Sequence, residues 1–217
     1  MAYKHGVYTS EVETSLTAPI VGTAGLQVIV GTAPVNMLKD PAAAVNVPLL
    51  VNNYKEAVEA VGYNDDFEAY TLCECISAAF SVVGVAPMVL INVLDPAKHK
   101  ADISEKTMQV NDGVAVLDEV GVLLEGLTIK ADATPLEAGK DYTTTWNNDG
   151  TLNIVLLKGG AGEEATTLTA TGSKIDPSKV KAADIVGGVD ISSGKETGLE
   201  VVRQGYPKPV SYTHLTL

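Results

Sequence analysis

Aromatic residues, histidine and clustered basic side chains are scarce in this sequence, and each shortage removes a class of function. Aromatics make up 5% of the 217 residues, with one Trp and two Phe, so Val, Leu, Ala and Ile must fill the core. That composition favours tight sheet packing over a cavity that stacks a ligand. Twenty-seven acidic side chains against 15 basic ones give a formal net charge of -12. Nucleic acid and anionic membranes are held through clusters of Lys and Arg, and the densest basic stretch is Lys98, His99 and Lys100, read as an exposed loop. No nucleic-acid partner is expected. No apolar run approaches the ~18 residues of a membrane-crossing helix. Lys4 and His5 are not followed by the apolar stretch of a secretory signal. Membrane insertion is therefore not expected, and synthesis in a cytoplasm is. Cys73 and Cys75 are separated by one residue, a poor spacing for a disulfide, and are read as reduced and buried.

What remains is ordinary globular material, 46% hydrophobic and 19% charged. Near the N-terminus Tyr3, His5 and Val7 alternate with more polar neighbours, which predicts an extended arm. A lone terminal strand leaves its N–H and C=O groups unpaired, so it orders by adding to a sheet, its own or a neighbour's. The run LQVIVGTAP (26–34) predicts a strand buried on both faces, and PLLVNN (48–53) repeats the pattern. Tyr54, Ala57, Val58 and Val61 share one helical face, with Asn52 or Asn53 as cap and Gly62 as stop. Residues 67–83 predict a mostly buried helix and 87–96 a further buried strand. Together these describe an α/β layer with a largely parallel or mixed sheet.

Beyond Asp102 the texture changes to short β-like pieces: TMQV, VAVL, VGVLLEGLTIK, DYTTTW, TLNIVLL and ATTLTATG. Asn147, Asn148, Asp149 and Gly150 form a strong hairpin signal. Such strands predict a small β-sandwich or barrel, ending near Ile185. Residues 190–209 return to helical patterning, with Leu199 and Val202 on one side and Gly205 as stop. A β unit set inside an α/β layer needs more strands to finish the sheet, so the native chain is expected to continue. The last eight residues, VSYTHLTL (210–217), match a translated sequencing-library adaptor and are expected to be non-native, with native sequence ending near Pro209.

A search for chemistry assigns no catalytic, cofactor-binding or metal-ligating residue. The histidines His5, His99 and His214 are scattered, and Cys73-Glu74-Cys75 lacks the second pair that tetrahedral zinc requires. Gly22 to Gly25 precede a strand, the reverse of a phosphate loop. Residues 159–162, Gly-Gly-Ala-Gly, read as a flexible hairpin, and Gly187 with Gly188 as a hinge between domains. Asp65 and Asp66, near Glu68, match no calcium loop and are read as helix N-caps. No enzyme activity and no cofactor are expected.

Three stretches in order along the chain resemble the tail sheath proteins of contractile-tailed phages and related injection devices. Residues 3–36 carry G-V-Y-x-x-E (Gly6 to Glu11) leading into an apolar strand that ends V-G-x-A-P (Val30 to Pro34). Residues 136–157 resemble the family's β-sandwich insertion, and residues 187–208 resemble the point where its core resumes. The resemblance implies an α/β plus all-β fold: an incomplete α/β sheath core domain, an inserted small β-sandwich domain and an extended N-terminal arm. Its divisions are an arm at 1–22, the first part of the split core at 23–103, the insertion at 104–186, the resumed core at 187–209 and the adaptor-derived tail at 210–217. It further implies a structural subunit that polymerises as a helical stack of rings around a tail tube protein and contracts from a baseplate to drive the tube through a target envelope. Such a subunit is found in the host cytoplasm during assembly and in the virion tail sheath or injection device afterwards. The implied inter-subunit device is the arm, through Tyr3, His5, Gly6, Val7, Tyr8 and Val12. Two other readings stand beside it. One is an adhesin-like or carbohydrate-binding module on the β unit, needing an aromatic platform that only Tyr142 and Trp146 supply; the other is a nucleotide-dependent α/β enzyme, which lacks the fingerprint.

Overall fold

The computed structural model describes residues 26–191, 193–205 and 211–214, the last four and residues 204 and 205 by backbone alone. The first strand, β1 (Gln27–Gly31), is a β-branched run buried on both faces. β2 (Leu49–Val51) leads into helix α1 (Tyr54–Val61). The start of α1 is fixed reciprocally: Asn53 Oδ1 accepts the Glu56 N–H at 2.9 Å, and the Glu56 carboxylate accepts the Asn52 N–H at 2.9 Å. Gly62 ends it, as the sequence predicts. Helix α2 (Thr71–Ile76) runs on into a π-helical stretch (Ser77–Val83) before β3 (Met88–Asn92), all five residues of which are buried. β1 and β3 pair in parallel with Gln27 opposite Met88, and β2 pairs antiparallel to β3, so the sheet is mixed.

Alternation along these strands sends side chains to two cores. Ile29, Met88 and Leu90 meet Ala57, Val61, Leu72 and Ile76 on the helix face. Val28, Val30, Val89 and Ile91 face the other way, against Tyr70, Cys73, Val180, Ile185 and Val202. Both faces are covered, which is why these strands read as continuous apolar runs.

A second sheet holds β4 (Lys100–Asn111), β5 (Val114–Leu117), β6 (Thr128–Ala131), β7 (Thr134–Leu136), β8 (Tyr142–Trp146), β9 (Leu152–Leu156) and β10 (Thr167–Ile175). All neighbours are antiparallel, in the order β7-β6-β10-β4-β5-β9-β8. The two edge strands, β7 and β8, are consecutive in the chain. Laid flat, seven strands put their edges ~29 Å apart at ~4.8 Å per step, whereas six residue steps from Leu136 to Tyr142 reach only ~21 Å. The sheet must therefore curl. β4 is the fold line: residues 100–109 pair with β10, while only Val110 and Asn111 pair with β5. Leu117, Ile129, Leu136, Tyr142, Ile154 and Leu168 fill the enclosed core.

Of the β-like piece expected at 120–130, only the end is a strand, β6 beginning at Thr128; residues 120–127 are bends and a turn, with Val122 in a lone bridge to Lys174. The cause is a split allegiance. Val122 is buried in the core of the curled sheet and the adjacent Leu123 in the core of the mixed sheet.

The chain then returns. Helix α3 (Ala182–Val186), a ribbon of β11 (Gly188–Val189) and β12 (Glu196–Thr197), and helix α4 (Glu200–Gly205) lead to β13 (Ser211–His214). Among the described residues, the helix predicted across 190–209 is seen as α4, and the segment before it pairs as the ribbon. β13 lies parallel to β1 with Ser211 opposite Gln27, giving the first sheet the order β13-β1-β3-β2. The segment read as an adaptor-derived tail supplies this strand. The return is tied down by the Gly198 N–H donating to Asn46 Oδ1 at 2.8 Å and by Ile185 and Val202 in the core.

Candidate functional site

The arm residues Tyr3, His5, Gly6, Val7, Tyr8 and Val12 lie outside the described residues. Of the other residues singled out, most prove to be structural. Cys73 is fully buried, and burial pushes its thiol up to about 12, so it holds its proton at neutral pH. Burial raises the half-buried Cys75 as well. Asp65 and Asp66 do not cap α2, whose N-cap is Tyr70. The Asp66 carboxylate instead accepts the Ala69 N–H at 3.2 Å, closing a turn ahead of the helix. The helix start is set by a buried exchange, in which the Thr71 N–H donates to Thr32 Oγ1 and the Thr32 N–H to Thr71 Oγ1, each at 3.1 Å.

Nor is the basic trio wholly an exposed loop. His99 is buried, its Nδ1 accepting the Asp95 N–H at 3.0 Å and its Nε2 lying 3.6 Å from Asp184 Oδ2, so it clasps the crossing between the sheets. Residues 159–162 are pinned rather than flexible: the Ala161 N–H donates to Asp141 Oδ1 at 2.9 Å, and the Glu137 N–H donates to Asp141 Oδ2 at 2.8 Å. These backbone donors hold the Asp141 carboxyl below the usual carboxylate range. Tyr142 is buried and Trp146 packs against the curled core, so they present no exposed stacking platform. Among the described residues no group of three or more His, Cys, Asp or Glu is placed to share a metal ion.

Two surface features and one cleft stand out instead. Residues 81–87, Ser-Val-Val-Gly-Val-Ala-Pro, are all exposed, Val82 at 80%, at the end of the π-helical stretch and on the loop that carries the chain into β3. Val186, Val189 and Ile191 project from α3 and the ribbon, with Ile191 wholly exposed. Between the two sheets lies a cleft of about 760 Å³, walled by Asn36 and residues 38–42, by residues 95–97 with Lys100, and by residues 123–126 with Ser173. It contains Asn36, whose burial sequence reading missed because an Asn after a strand reads as turn.

In comparisons with known proteins the chain is similar to the tail sheath protein of Burkholderia phage BcepMu, 27% identical over 206 residues. The match covers 94% of this chain and 40% of that protein. The chain is thus a relative of phage tail sheath proteins, as its motifs imply. No family model matches it, and no solved structure does.

Proposed function

We propose that this chain is a structural subunit portion of a contractile phage tail sheath, which polymerises around the tail tube and drives it through a target envelope. The observation that carries this is the extent of the likeness: it spans 94% of the chain, and so takes in both the mixed and the curled sheets. In this reading residues 23–103 and 187–209 belong to one split core, and residues 104–186 are its inserted sandwich-like domain. Residues 1–22 are an arm that joins neighbouring copies, and the partners are further copies, the tail tube protein and the baseplate. Chemistry supports the division. The mixed sheet is covered on both faces yet, among the described residues, leaves the outer side of β2 unpaired, an edge that takes an added strand. Repetition along an axis demands contacts between different patches, the arrangement that yields filaments rather than closed dimers.

Immunogold labelling tests the assignment. Antibodies raised against this chain are expected to decorate the tail shaft of virions from a host carrying the gene, along its length and in both extended and contracted tails. Label restricted to the capsid or fibres, or free of the particle, overturns it.

A further inference from the structure

Asp-Gly occurs twice in the chain, at 112–113 and at 149–150, each time in a turn. A glycine nitrogen is unshielded by any side chain of its own, so it can close a five-membered ring on the aspartyl side chain before it. The fold treats the two dipeptides in opposite ways.

Asp149 is locked. Its Oδ1 accepts the Thr151 N–H at 2.9 Å and the Thr151 hydroxyl at 2.6 Å. The peptide that joins it to Gly150 is tied at both ends: the Asp149 carbonyl accepts the Asn64 side-chain amide at 3.0 Å, and the Gly150 N–H donates to the Asn147 carbonyl at 3.0 Å. Gly150 is buried, and a Cβ there would lie 2.6 Å from Asn64 Nδ2. The Thr151 hydroxyl and N–H also hold the Asp149 carboxyl below the usual range, which disfavours the neutral form that ring closure needs.

Asp112 is open. It is exposed at φ of 50°, and Gly113 follows at φ of 78°, two left-handed residues in the tight turn from β4 to β5. Its carboxylate has no hydrogen bond or ion pair among the described residues, and the peptide between it and Gly113 is bonded at neither end. A Cβ on Gly113 would meet nothing within 4 Å. That peptide unit can therefore rotate, bringing its nitrogen to the side chain, without giving up a hydrogen bond of its own.

We propose that Asp112–Gly113 is a self-modification site, at which the turn rearranges to isoaspartate through a succinimide. The Gly113 nitrogen attacks Cγ of the protonated Asp112 carboxyl; the N–Cγ bond forms, the Cγ–OH bond breaks, and the hydroxyl leaves as water with the amide proton. A water then opens the ring at the Asp112 backbone carbonyl carbon, which becomes a free carboxylate while the chain runs on through Cβ and Cγ. One water leaves and one enters, and nothing is oxidised or reduced. The backbone gains one atom inside a two-residue turn. Only the Val110–Ala115 and Asn111–Val114 pairs join β4 to β5 there, and the Gly113 carbonyl accepts the Leu156 N–H at 2.8 Å. The change thus loosens the fold line of the curled sheet.

The test compares the two dipeptides in one molecule. The full chain is incubated at neutral pH and at a temperature below its melting point, in buffer and in parallel in concentrated urea, and isoaspartate is located by electron-transfer fragmentation of its peptides. In urea both sites are expected to convert at similar rates. In buffer Asp112 is expected to convert at least about a hundred-fold faster than Asp149, since four hydrogen bonds must open at Asp149 and each is worth about five-fold in an opening equilibrium. Absence of isoaspartate at 112 in the folded protein, or equal conversion at both sites there, overturns the proposal. Asp112→Gly tests the consequence, because glycine suits a left-handed turn and has no carboxyl to react. Converted wild type is expected to lose hydrogen-exchange protection across residues 110–115, while Asp112→Gly incubated alongside keeps it. Equal loss in the two, or none in converted wild type, overturns the loosening of the fold line.

Discussion

Replacing Gly187 by Ala isolates what holds the returning segment in place. Gly187 has φ of 71°, and a Cβ there would fall inside the van der Waals shell of the Thr197 carbonyl oxygen. Across the gap, a Cβ on Gly198 would lie 2.5 Å from the Ile185 carbonyl oxygen, so two backbones run here in near contact. The contact is sealed by the Gly188–Thr197 pairing and by the Leu199 N–H donating to the Ile185 carbonyl at 3.0 Å. Alanine at 187 costs about 1 to 3 kcal/mol for the backbone, because φ of 71° with ψ of -160° is a region that is essentially glycine's alone. Displacing the ribbon to admit the methyl loses about two hydrogen bonds, at about 1 kcal/mol each, for a total of about 3 to 5 kcal/mol. Gly194, at φ of 68° with nothing within 4 Å, is the internal control, since Gly194→Ala bears the backbone cost alone. At about 2 to 4 °C per kcal/mol for a chain of this size, Gly194→Ala lowers the midpoint of thermal unfolding by a few degrees and Gly187→Ala by about 10 °C. Circular dichroism melts of both variants decide it. Equal shifts would refute the close-approach argument and return Gly187 to the role of a free hinge.

Glu119 lies between Lys174 at 2.6 Å and Lys106 at 2.9 Å, and hydrogen bonds from those two ammonium groups, Lys174 first, hold its carboxyl below the usual range. A depressed carboxyl adds stability above its unfolded pKa of ~4.3 and loses it as pH falls through the folded value. The stability gap between wild type and Glu119→Gln, about 1 kcal/mol at neutral pH given the half-exposed lysines, is therefore expected to close in acid; urea titrations giving a gap that is constant or wider there would defeat this. A fragment of residues 100–175 is expected to fold alone with a cooperative melt. Starting it at residue 104 removes the pairings of Lys100, Ala101, Asp102 and Ile103 with β10 and is expected to lower the melting point. Identical melts, or no transition in either, would show that the curled sheet depends on the rest of the chain.

Legibility followed local chemistry. β1, β3 and α1 with its Asn53 cap and Gly62 stop were readable, because a doubly covered strand and a capped amphipathic helix each write their whole environment into one short run. The turn at residues 147–150 was equally plain. β4 was seen only in its TMQV portion: of its twelve residues just Ile103 and Met108 are buried, so no alternation marks it. Residues 120–127 were misread as strand because Val122 and Leu123 serve different cores, and that division exists only after the two sheets meet. For the same reason the cleft between the sheets carried no signal; a wall made by distant segments has no footprint in any one of them.

How the sheets meet bears on how such a subunit could work. The curled sheet is joined to the mixed one by two crossings that run side by side: the Asp176 N–H donates to the His99 carbonyl at 2.8 Å, and the Lys179 ammonium to the Lys100 carbonyl. A two-strand neck by itself would hinge. Here it is braced away from the neck, by the Asn64 side-chain amide donating to the Asp149 carbonyl at 3.0 Å and by Leu123 and Ile175 entering the core of the mixed sheet. Bending at the neck would expose those two side chains and strip the Asn64 bond together, a combined cost of several kcal/mol from about 1 to 3 kcal/mol for each group. In the sheath reading proposed above, a neck braced in this way predicts that any rearrangement falls between copies rather than within one.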